Sequence, residues 1–84
     1  SIMVVAEDNN FQRLVEEVVT SIGINSRLIA FQNINTLNNI NNYDVYVTSS
    51  RLEEQAHRKL QGKRVIVLNK EIDQGSLQTI VNNF

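Results

Sequence analysis

The sequence predicts a small α/β domain with one four-stranded, parallel, doubly wound sheet in the order 2-1-3-4 and helices on both faces. Two observations carry this. Four separate five-residue runs are predominantly apolar, the pattern of strands covered on both sides. Segments with apolar residues at helical spacing separate or follow them, as right-handed crossovers between parallel strands require.

Ile2-Met3-Val4-Val5-Ala6 is the first strand. Phe11, Leu14, Val15, Val18, Val19 and Ile22 then recur at i, i+3, i+4, i+7, i+8 and i+11, which is one face of an amphipathic helix. Asn9 or Asn10 is the expected cap, and Gly23 sits where a left-handed stop is needed. Arg27-Leu28-Ile29-Ala30-Phe31 reads as the second strand. From Asn33 to Asn42 six of ten residues are Asn, with Ile34, Leu37 and Ile40 as the apolar residues. Asn side chains compete with the backbone for hydrogen bonds, so a short, poorly formed helix or a turn-rich connection is expected there.

Asp44-Val45-Tyr46-Val47-Thr48 is the third strand. Ser50-Arg51-Leu52-Glu53 has the form of a capping box, opening a helix with Leu52, Ala56 and Leu60 on one stripe and Gly62 at its end. Arg64-Val65-Ile66-Val67-Leu68 is the fourth strand. Asp73 or Ser76 starts a last helix that buries Leu77, Ile80, Val81 and Phe84. The whole is the smallest version of a doubly wound, flavodoxin-like fold.

Composition narrows the functions. Eighty-four residues make one domain, 1–84, and the strand that starts directly after Ser1 reads as a domain cut from a longer chain. Without cysteine there is no disulfide framework, thiolate metal site or thiol nucleophile. A net charge of −1 argues against a broad electrostatic grip on nucleic acid. No apolar run is long enough to span a bilayer, so direct contact with DNA, RNA or membrane is not expected of this domain.

In such sheets the functional crevice opens at the carboxyl ends of the strands, where strand order reverses. Here that point lies between the first and third strands. Glu7, Asp8, Asn9 and Asn10 follow the first, and Thr48, Ser49 and Ser50 end the third. Asn69, Lys70 and Glu71 follow the fourth. Adjacent carboxylates can hold a hard cation such as Mg²⁺, but a helix N-terminus is the plainer reading of them. Neither a G-x-G-x-x-G nor a Walker A loop follows the first strand. His57, the single histidine, belongs to an exposed helix flank, and Ser49 and Ser50 have no base arranged near them in sequence. Six of the eight basic residues lie between Arg51 and Lys70, without interleaved aromatics, and read as a solvated face.

The run from Val4 to Val15, with Glu7-Asp8-Asn9 at the strand end and Arg13 in the helix, resembles the opening of response-regulator receiver domains. Ile22-Gly23, the strand Tyr43–Thr48 and Lys70-Glu71-Ile72-Asp73 also resemble receiver segments. The resemblance implies Glu7 and Asp8 as the metal-binding pair and Ser49 at the phosphoacceptor position, where an acyl phosphate cannot form. Thr48 and Lys70 complete that vestigial crevice. One βα unit of a full receiver is missing, and Val65–Leu68 matches either its fourth or its fifth strand.

By this resemblance the chain is a degenerate pseudo-receiver: a non-catalytic signalling and interaction domain of a bacterial two-component sensor kinase or phosphorelay protein. No enzyme activity of its own and no cofactor beyond a weak residual Mg²⁺ site are expected. Neighbouring kinase or phosphotransfer domains are the expected partners. The expected location is cytoplasmic, or the cytoplasmic part of a membrane-anchored protein. Tyr43–Ser49 and the Val65–Leu68 strand also resemble phosphotransferase-system IIB domains, which have a four-stranded version of the fold. The alternative is therefore a cysteine-less IIB-like regulatory domain of a bacterial transcription regulator.

Overall fold

The computed structural model of the chain describes residues 1–68 and residue 82. Four strands, β1 (Ile2–Ala6), β2 (Ile29–Asn33), β3 (Val45–Ser49) and β4 (Val65–Leu68), form one sheet in the order β2-β1-β3-β4. Every pairing is parallel, so the order reverses between β1 and β3 as expected. The register sets Ile2 between Ile29 and Val45, and Val4 between Phe31 and Val47.

Alternation along the strands divides the core into two layers. Ile2, Val4, Val45, Val47, Ile66 and Leu68 pack with Val15 and Val19 of helix α1 (Asn9–Ser21). Met3, Val5 and Tyr46 pack on the other face with Leu52, Ala56 and Leu60, the stripe read from the sequence around helix α2 (Glu53–Lys59). All five β1 residues are buried, consistent with a central strand covered twice. Each fully buried aliphatic side chain contributes about 1.5–3 kcal/mol.

Local chemistry corrects the expected boundaries. The cap of α1 is Asp8, not Asn9 or Asn10: its carboxylate accepts from the Asn10 amide at 2.9 Å. Gly23, at φ +87°, donates to the Thr20 carbonyl, and Ile24 donates to Val19, closing the helix with a Schellman pair. Arg27 and Leu28 are not strand. Asn25 accepts from the Arg27 amide at 3.0 Å and holds Ser26–Leu28 as a 3₁₀ turn, so β2 starts at Ile29.

The Asn-rich stretch is the turn-rich connection, with a single 3₁₀ turn over Ile34–Thr36 capped by Asn33. The capping box at Ser50 does not form. Glu53's amide, which the Ser50 hydroxyl would take, already donates to the Ser50 backbone carbonyl across a 3₁₀ turn (Ser50–Leu52). The Glu53 carboxylate lies instead 3.8 Å from His57 Nε2. The last helix, expected over Leu77, Ile80, Val81 and Phe84, falls outside the described residues. Among the described residues no helix is long and apolar enough to cross a membrane.

Candidate functional site

β1 ends at Ala6 and β3 at Ser49, side by side, and the loops leaving them diverge to opposite faces of the sheet. A cavity of about 430 Å³ opens where they part. Glu7, Asp8 and Asn10 line it from the β1 side, Ser49, Ser50 and Arg51 from the β3 side. Phe11, Leu14, Leu52 and Leu68 add an apolar surface.

The sequence reading placed Glu7, Asp8 and Ser49 together, and they do line one cavity. The half-buried Ser49 makes no side-chain cap bond to the turn that follows. Thr48 does not join them. It is fully buried in the sheet, and its hydroxyl donates to the Val5 carbonyl at 2.8 Å, tying β3 to β1. Lys70, like Asn69 and Glu71, lies outside the described residues. His57 stands on the exposed side of α2, away from the crevice lining.

The two carboxylates have separate local duties. Asp8 holds the first turn of α1 through the Asn10 amide. Glu7 faces Arg51, with Oε2 3.7 Å from Nη2, so one exposed ion pair spans the crevice mouth. Asn33 donates to the Glu7 backbone carbonyl at 2.9 Å and fixes the loop from the β2 side. Among the described residues no group of three or more metal-ligating side chains gathers. A hard cation would meet these two carboxylates plus oxygens of Ser49, Ser50 and Asn10, in competition with Arg51 for Glu7.

Arg51 and the apolar lining were missed in the sequence. Phe11 and Leu14 lie on the helical stripe already recognised, yet Leu14 remains 36% exposed. They sit at the N-terminal end of that stripe, and Phe11 also packs against the core cluster. Their place at the start of the helix that follows β1 was the available signal; nothing in the sequence marks Arg51.

A family model described as the YmtS Rossmann-like domain matches residues 3–83. The chain belongs to that family. No curated protein matches it. Membership in the YmtS Rossmann-like domain family agrees with the all-parallel sheet and its switch-point crevice. Function does not come with the fold, since such sheets host many chemistries through the loops at this end. In this YmtS Rossmann-like domain the β1 loop is Glu7-Asp8-Asn9-Asn10, acidic and without glycine. Acidic side chains at that point repel phosphate, which a glycine-rich loop would cradle.

Proposed function

We propose that this domain is a non-catalytic signalling module, a degenerate receiver within a bacterial sensor kinase or phosphorelay protein. In this reading it docks neighbouring kinase or phosphotransfer domains through its crevice loops and helix faces, in the cytoplasm. The observation that carries it is Ser49, which ends β3 in the same cavity as the acidic pair Glu7 and Asp8. A receiver crevice in that arrangement holds its acceptor carboxylate there. A serine hydroxyl cannot form an acyl phosphate or supply a third metal carboxylate.

Restoring the carboxylate tests the reading. Ser49→Asp should bind Mg²⁺ and take up one phosphoryl group from acetyl phosphate in its presence, read by intact mass. The natural chain should remain unmodified. Phosphorylation of the natural Ser49 would overturn the non-catalytic assignment. A Ser49→Asp chain that folds but binds no Mg²⁺ would remove the receiver assignment. The second reading is the IIB-like regulatory module, which the order β2-β1-β3-β4 among the described residues also supports. Helix-turn-helix segments flanking the domain in its parent chain would support that module, and histidine-kinase motifs the receiver.

A further inference from the structure

The crevice combines an apolar wall with an acidic rim, and the two together select one kind of guest. Phe11 and Leu14 offer a surface for hydrocarbon, and the nearly buried Leu52 and Leu68 back it. Among the described residues, two carboxylates stand at the rim against the guanidinium of Arg51. The Glu7–Arg51 pair is the weak point. At 3.7 Å, with the Arg51 side chain 81% exposed, it is a long, solvated contact that another cation can replace. An acidic or phosphorylated guest would meet Glu7 and Asp8 and be repelled. A cavity of about 430 Å³ accommodates one or two side chains and not a whole helix.

We infer that the crevice receives an arginine or lysine side chain, flanked by apolar residues, from an extended segment of a partner protein. Glu7 exchanges Arg51 for the incoming cation, and the flanking apolar side chains lie on Phe11 and Leu14. This rests on the docking role proposed above and adds the chemistry of the docked segment.

The test is an amide NMR titration of the full chain with acetyl-Leu-Arg-Leu-amide, with its citrulline isostere, and with n-butylguanidinium. The arginine peptide should shift the amides of Glu7, Asp8, Ser49 and Arg51 saturably. Loss of the charge, as citrulline or as Glu7→Gln, should weaken binding roughly fivefold, the most one exposed ion pair supplies. Arg51→Ala should strengthen it about twofold by freeing Glu7. Equal binding of the citrulline peptide, shifts centred elsewhere, or weaker binding by Arg51→Ala would overturn the inference. So would n-butylguanidinium binding as tightly as the peptide, which would assign the crevice to small cations. If peptide binding fails while Ser49→Asp still takes up phosphate, the basic guest is wrong and the receiver reading stands. The reverse pair of results removes the receiver and keeps the guest.

Discussion

The two layers of the core are built by different means. The α1 layer rests on a thirteen-residue helix with its own cap at Asp8 and its own stop at Gly23, and its buried cluster is purely aliphatic. Among the described residues the α2 layer has a helix of only seven residues. Ile34, Leu37, Ile40 and Tyr43 of the Asn-rich connection complete the cover. Beyond the 3₁₀ turn at Ile34–Thr36 these residues lack regular structure, and side chains hold much of their backbone. Lys59 donates to the Ile34 carbonyl at 2.9 Å. Gln32 both donates to Asn38 and accepts from it. One layer is stabilised by local signals, the other by contacts between segments distant in sequence.

That contrast breaks first at Ile34. Its side chain is fully buried although it belongs to a single 3₁₀ turn within the connection. Ile34→Ala should cost about 2–4 kcal/mol, a core-sized loss. In a domain this small that is a large share of the total stability. Urea unfolding followed by circular dichroism reads it directly. A loss below about 1 kcal/mol would mean that the connection only drapes over the α2 layer and does not form part of it.

The α1 layer should give a smaller response at its defining local signal. Asp8→Ala removes the carboxylate that accepts from the Asn10 amide and should cost about 1 kcal/mol. Amide exchange should quicken in the first turn of α1 while α2 is unaffected. Equal loosening of both helices would erase the distinction between the layers.

This difference also explains what could be read from the sequence. The strands, the α1 stripe and the Leu52–Ala56–Leu60 stripe follow from periodicity, which depends on near neighbours, and they settle the sheet and its crevice. The Asn residues were harder. Asn25 and Asn33 each accept from an amide two residues on, and Asn41 accepts from Lys63. Their number alone does not foretell these contacts. Ser50 shows the opposite failure. Its capping-box pattern is present, yet the backbone turn at the end of β3 had already used the amide. Within the crevice, Glu7, Asp8 and Ser49 could be placed because strand ends are legible. Arg51 could not, because an exposed ion pair between two loops leaves no periodic trace.

The smallest expected effect concerns the polar atom that only the α2 layer buries. The Tyr46 hydroxyl is enclosed and has no hydrogen-bond partner among the described residues, while its ring meets Tyr43 edge-on at 6.1 Å. Burial raises its pKa above the ordinary 10.0, with the nearby Tyr43 backbone opposing in part. A phenol held protonated in the fold titrates first in the unfolded chain. Below pH 10 both states keep the proton and the group adds no pH dependence. Above the ordinary value the unfolded chain alone ionises, so stability falls as pH rises toward the raised value. Tyr46→Phe keeps the ring, removes the unsatisfied hydroxyl and should leave the domain unchanged or up to about 1 kcal/mol more stable near neutrality. It should also flatten the alkaline limb, so that urea midpoints at about pH 8 and about pH 11 lie closer together than in the natural chain. A destabilised Tyr46→Phe with the limb intact would mean that the hydroxyl has a partner, and that the α2 layer is as fully satisfied as the α1 layer.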